Sequence, residues 1–126
     1  MSDPIRILVV DDDLRMRELN LDTVAELGLQ LELCGDSREA LRRLGDDAFD
    51  LVITDLKMPH VDGIGVLDRA KQLNPEILVI LVTGYGTIES ALSAMRKDAY
   101  DYIQKPFEPD DFLLVFVLAW LRAMLL

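Results

Sequence analysis

Short apolar runs alternate along the chain with longer stretches in which apolar residues recur every three or four positions. Ile5 to Val10 is apolar apart from Arg6, the pattern of a strand buried on both faces. From Leu14 to Leu27 the apolar residues fall near helical spacing, and Gly28 is placed to cap that helix. Leu29, Leu31 and Leu33 alternate with Gln30 and Glu32, as a half-exposed edge strand would. Asp36, followed three residues later by Glu39, predicts a capping box opening a helix through Leu44. Phe49 to Thr54 is the third strand. Ile64, Leu67 and Leu73 mark a third helix that Asn74-Pro75 stops. Ile77 to Val82 is six consecutive aliphatic residues; Ile88, Ala91, Leu92 and Met95 give a fourth helix, Tyr100 to Ile103 a last strand, and 108–126 a last helix.

Strict alternation of strand and helix implies right-handed crossovers and a parallel sheet with helices on both faces. The first, third and fourth strands are apolar through their middles and belong in the centre; the second and fifth are mixed and belong at the edges. That distribution fits the order 2-1-3-4-5, a flavodoxin-like (βα)5 arrangement, in which ligands bind beyond the carboxyl ends of the strands where the order reverses. At 126 residues and 51% hydrophobic, residues 1–126 are expected to form one domain with a core of its own.

The strand ends carry the chemistry. The first ends in Asp11-Asp12-Asp13, the third in Thr54-Asp55, the fourth in Thr83-Gly84, and the fifth runs on to Lys105-Pro106. Neighbouring first and third strands should bring Asp11, Asp12 and Asp55 into one small volume. Carboxylates so close require a compensating cation, and hard oxygen donors suit Mg²⁺. Asp13 reads more simply as a helix cap. Phosphoryl transfer needs groups of this kind: a carboxylate nucleophile (Asp55), a metal and an ammonium (Lys105) for the charged oxygens, and a small hydroxyl (Thr83) for another. Gly84 keeps the rim clear for a donor.

With 13 Lys plus Arg against 23 Asp plus Glu, the net charge of -10 disfavours contact with a nucleic-acid backbone. Single Cys34 and His60 residues exclude an internal disulfide and a Cys- or multi-His metal site; Cys34 reads as buried filler and His60 as a solvated turn residue. The first residues have no secretory pattern, so a cytoplasmic location is expected.

In Ile7-Leu-Val-Val-Asp-Asp-Asp13, Asp55-Leu-Lys-Met-Pro59 with Asp62-Gly63, Leu81-Val-Thr-Gly-Tyr85 and Asp101-Tyr-Ile-Gln-Lys-Pro-Phe107, in that order and spacing, the chain resembles the response-regulator receiver family over essentially its whole length. The resemblance implies that Asp55 accepts a phosphoryl group from a sensor histidine kinase or phosphotransfer protein. It makes Asp11 and Asp12 the acidic pair, with Asp12 the more direct metal ligand, and adds the Lys57 backbone carbonyl. It implies contact of Lys105 with the phosphoryl group, a cis Lys105-Pro106 bond, and a Thr83–Tyr102 switch that alters the surface of the fourth helix, fifth strand and last helix. The residues alone leave Tyr102 as plain edge packing. Lys57 and Tyr85 are placed at the rim, tuning hydrolysis. The stretch Thr83-Gly-Tyr-Gly-Thr-Ile-Glu-Ser-Ala-Leu92 is similar to receivers of nitrogen-regulator-type transcription activators.

The last helix departs from that pattern, because from Phe112 to Leu126 only Arg122 is not apolar. A stretch of fifteen residues is short of the roughly 20 a membrane span needs, while a helix apolar all round should be covered all round. Its outer face, with Phe112, Phe116 and Trp120, is therefore expected to form an interface, first of all in a homodimer; the alternative is that it leads into a linker and output domain. Two other functions compete with the switch. A metal-dependent aspartyl-phosphate phosphatase would want a second acid beside Asp55, where Leu56 and Lys57 stand. An unphosphorylated interaction module would not need Asp12, Asp55, Thr83 and Lys105 together.

Overall fold

The apolar runs form one parallel sheet in the order β2-β1-β3-β4-β5, built from β1 (Arg6–Val10), β2 (Gln30–Cys34), β3 (Leu51–Thr54), β4 (Leu78–Thr83) and β5 (Asp101–Gln104). The computed structural model describes residues 5–11, 30–84, 86–105 and 109–125, with only the backbone of 30 and 109–113. Expectations for the helix at 14–27 with Gly28, for Asp12, Asp13, Tyr85 and Glu108, for the Lys105–Pro106 bond and for the Phe112 side chain lie outside the described residues. The described helices are α1 (Ser37–Asp46), α2 (Gly63–Leu73), α3 (Ile88–Arg96) and α4 (Pro109–Met124).

Side chains alternate across a strand, so each central strand feeds two cores. Leu8, Val10, Val52, Val79 and Leu81 pack with α1, α2 and Ala94 of α3; Ile7, Val9, Ile53, Ile80 and Val82 pack with Phe116, Ala119 and Ala123 of α4. Every residue of β3 and β4 is buried, whereas β5 is half-exposed, which matches the central and edge positions read from composition. Cys34 is buried and free, its thiol donating to the Asp36 carbonyl at 3.1 Å. His60 is exposed in a left-handed turn with φ 74°.

Two details, the first and the third, differ from expectation, and the second adds to it. Asp36 does cap α1, accepting the Arg38 N–H at 2.8 Å, but Glu39 turns to Arg42 and Arg43 rather than back to the cap. Hydrogen bonds from those arginines hold its carboxyl below its ordinary value, as the Arg38 side chain does for Asp36. The capping box is instead at α3, between Thr87 and Ser90. Second, the apolar stripe of α3 faces out: Ile88, Leu92 and Met95 are exposed and Ala94 is the buried residue. Third, Phe116, expected at an outer interface, is 2% exposed and belongs to the core. A helix apolar on every side gives no sign of which side meets the sheet. At 100° per residue, Phe116, Ala119 and Ala123 share the inner side, and the outer one carries Leu114, Leu118, Leu121 and Leu125, 45–82% exposed. Trp120 is half-buried between them.

Candidate functional site

The strand order reverses between β1 and β3, and there the ladder continues one residue beyond the strands. Val10 pairs with Thr54; the Asp55 N–H then donates to the Val10 carbonyl at 2.9 Å and the Asp11 N–H to the Cys34 carbonyl at 3.0 Å. On the other side the Lys105 N–H donates to the Thr83 carbonyl at 2.8 Å. Asp11, Asp55 and Lys105 are thus set by the sheet itself at one end of it. Their side chains meet: the Lys105 ammonium is 3.5 Å from Asp11 Oδ2 and 3.6 Å from Asp55 Oδ2. Asp11 is 7% and Asp55 6% exposed. Two carboxylates removed from water around one ammonium favour additional positive charge nearby.

The loop after β3 is fixed at several points. Lys57 N–H approaches Asp55 Oδ1 at 3.4 Å, the Thr54 hydroxyl donates to the Asp55 carbonyl at 2.9 Å, and Gly63 N–H donates to the Leu56 carbonyl at 2.7 Å. The buried Ser37 hydroxyl donates to the Pro59 carbonyl at 2.9 Å and accepts Val61 N–H at 3.1 Å. Asp62 caps α2 by accepting Gly65 N–H at 2.9 Å. Gly63 is required by space: a Cβ there would overlap the Asp55 carbonyl oxygen and lie 2.9 Å from both Leu56 Cα and a Leu81 methyl.

Thr83 is fully buried at the end of β4. Tyr102, half-buried in β5, lays its ring over Gly86 and brings its hydroxyl to 2.9 Å from Ser90 Oγ. Ser37, Gly86 and Ser90 had no individual role in the reading of the sequence, although Gly86 and Ser90 lie within the stretch from Thr83 to Leu92. Their small size was visible there, but the partner that makes each necessary is distant along the chain.

Among the described residues no group of three His, Cys, Asp or Glu side chains converges, and Asp12 lies outside them. The donor chemistry of Asp11 and Asp55 nevertheless fits a hard divalent ion: carboxylate oxygens, nine-tenths buried, at the mouth of a sheet.

Fold and site together define a doubly wound α/β protein with an acidic centre at its topological switch point. The chain belongs to the response regulator receiver domain family, whose model matches residues 7–116. The transcriptional regulatory protein ZraR of Escherichia coli K12 is 38% identical over 109 residues, which cover 86% of this chain and 25% of ZraR. The chain therefore spans about a quarter of the length of the curated relatives it matches. The receiver domain of NtrX from Brucella abortus is 38% identical with a TM-score of 0.78, covering 90% of this chain and 96% of that one. The beryllofluoride-activated NtrC4 receiver domain dimer is 32% identical with a TM-score of 0.83, covering 94% and 98%. Among the described residues no helix is long and apolar enough to cross a membrane.

Proposed function

We propose that this domain is a phospho-accepting switch in which Asp55 takes a phosphoryl group from the phosphohistidine of a sensor kinase or phosphotransfer protein. The observation that carries it is the pair of buried carboxylates, Asp11 and Asp55, gathered on the Lys105 ammonium. A carboxylate oxygen of Asp55 attacks phosphorus, the P–N bond breaks, and its electron pair leaves on the imidazole. Mg²⁺ would be held by Asp11, Asp12, Asp55 and the Lys57 backbone carbonyl, where it would neutralise the phosphoryl oxygens. Lys105 takes another of those oxygens, and the Thr83 hydroxyl swings to a third while the Tyr102 ring moves into the space it leaves. The domain is read as a switch rather than a metabolic enzyme, its chemistry confined to its own phosphorylation and dephosphorylation.

The test is incubation with acetyl phosphate and Mg²⁺ followed by intact mass. A stoichiometric addition, labile as an acyl phosphate is, supports the switch; turnover of unrelated phosphoesters would favour a phosphatase, and no addition an unphosphorylated module. Lys105→Met is expected to slow phosphorylation by about 100-fold, the loss typical of one charge-stabilising donor. Mg²⁺ should bind that variant more tightly, since a positive charge beside the site is gone; a calorimetric titration checks both the sign and the integrity of the site.

The output is read as control of transcription in the cytoplasm, through the surface of α3, β5 and α4. Support comes from relatives named as transcriptional regulators and from the outward apolar stripe of α3. On α4, Leu114, Leu118, Leu121 and Leu125 are spaced by four, three and four residues, the repeat of a two-helix seam. A homodimer through this seam is the expected partner, and the net charge of -10 argues against direct nucleic-acid contact by the domain. Light scattering should give a dimer that Leu118→Glu converts to monomer. Wild type monomeric at all concentrations, with and without beryllofluoride, would rule the seam out.

A further inference from the structure

A hydroxyl network lies one step out from the carboxylates. The Tyr102 phenol oxygen is 2.9 Å from Ser90 Oγ, and its ring occupies the space that a side chain at Gly86 would fill: a Cβ there would overlap the phenol oxygen and meet two ring carbons at 3.1 and 3.2 Å. Ser90 is also half of the α3 capping box. Thr87 N–H donates to Ser90 Oγ at 2.9 Å, and Ser90 N–H donates to Thr87 Oγ1 at 3.0 Å. A serine hydroxyl has one hydrogen and two lone pairs. Ser90 Oγ also has the Thr87 carbonyl at 3.0 Å and the Thr87 hydroxyl at 3.2 Å, so the phenol joins a ring of Thr87 groups around one oxygen, and either member of the Tyr102–Ser90 pair can donate.

We propose that Ser90 is a positioning residue for Tyr102: it ties the phenol to the first turn of α3, so that ring and helix start move as one unit. The N–H groups of a first turn have no partners within their own helix and depend on the cap. This helix depends on it more than its neighbours do, because Ala94 is its one buried residue and Ile88, Leu92 and Met95 face outward. Local bonds rather than packing hold its beginning. A ring displacement at Tyr102 therefore loosens or carries with it the start of α3, and reorients the outward apolar stripe. That consequence rests on the phosphoacceptor reading of Asp55; the tie itself does not.

Tyr102→Phe keeps the ring and removes the phenol oxygen, so amide hydrogen exchange measured by NMR isolates the tie. Exchange at residues 88–91 is expected to accelerate about fivefold, the worth of one net hydrogen bond, with α1 and α2 unchanged. Adding Tyr102→Phe to Ser90→Ala should give no further acceleration, and Ser90→Thr should retain wild-type exchange. Unaltered exchange at 88–91 in Tyr102→Phe overturns the proposal. In a second arm, beryllofluoride with Mg²⁺ should shift the 88–91 amide resonances of wild type and do so by less than half as much in Tyr102→Phe. An equal response in both overturns the transmission through Ser90. A wild type that does not respond at all would instead defeat the phosphoacceptor reading, leaving the exchange measurements to decide on the tie.

Discussion

Asp55→Asn is expected to lose the acetyl-phosphate-dependent mass addition entirely while keeping its fold. The amide has the shape of the carboxylate, so the approach of Lys57 N–H to Asp55 Oδ1 at 3.4 Å can be retained. What it lacks is a nucleophilic oxygen with a full negative charge. Folding should not suffer, since the variant removes one of two buried carboxylates that share Lys105 and leaves Asp11 paired with that lysine. Relief of like-charge crowding offsets the lost ion pair, and the thermal midpoint should stay level or rise slightly. Intact mass and a thermal melt on the same sample check both halves. An addition that persists in Asp55→Asn would mean that the acceptor is elsewhere.

Gly63→Ala is expected to cost about 2–3 kcal/mol of stability, toward the upper end for an overpacked site. The new methyl group would strike the Asp55 carbonyl oxygen and the Leu56 Cα, which are backbone atoms and cannot rotate aside. The smaller entropy of an unfolded chain with Ala in place of Gly returns only a fraction of that cost. For a domain of this size the loss corresponds to a fall in Tm of roughly 10 °C, measurable by calorimetry. Because the displaced backbone is that of Asp55 itself, phosphorylation by acetyl phosphate should slow in the same variant. Gly45→Ala is the control, since no atom lies within 4 Å of a Cβ there; within α1 it should raise the melt slightly, as Ala is the better helix former, and leave the rate unchanged.

The parts of the fold legible in the sequence are those fixed by period and burial. Strands with unbroken apolar middles had to be central, and Asp11, Asp55, Thr83 and Lys105 had to follow their strands to one end of the sheet. Orientation about a helix axis was harder. Ile88, Leu92 and Met95 share a side of α3, and periodicity says so, but not that this side is turned away from the sheet. On α4 every side is apolar, so nothing in the sequence distinguished Phe116, which is buried, from Leu114 or Leu118, which are not. Ser90 and Gly86 were illegible for another reason. A serine in the first turn of a helix reads as a capping residue, which Ser90 is, and a glycine before it as a turn; their link to Tyr102 exists only once β5 is laid beside β4.

The continuation of the ladder past Val10, Thr54 and Thr83 has a consequence for what this chain can tolerate in evolution. Because Asp11, Asp55 and Lys105 occupy positions counted along hydrogen-bonded strands, their placement depends on residue number as well as residue type. Deleting a single residue within Leu51–Thr54 would invert the alternation of faces, presenting an aliphatic neighbour at the mouth and drawing a carboxylate toward an oily layer. Conservative exchanges among the aliphatic residues of β1, β3 and β4 leave that count intact. Lineages of this domain should therefore drift freely in which hydrocarbon fills the interior, while insertions and deletions are confined to the segments between the strands.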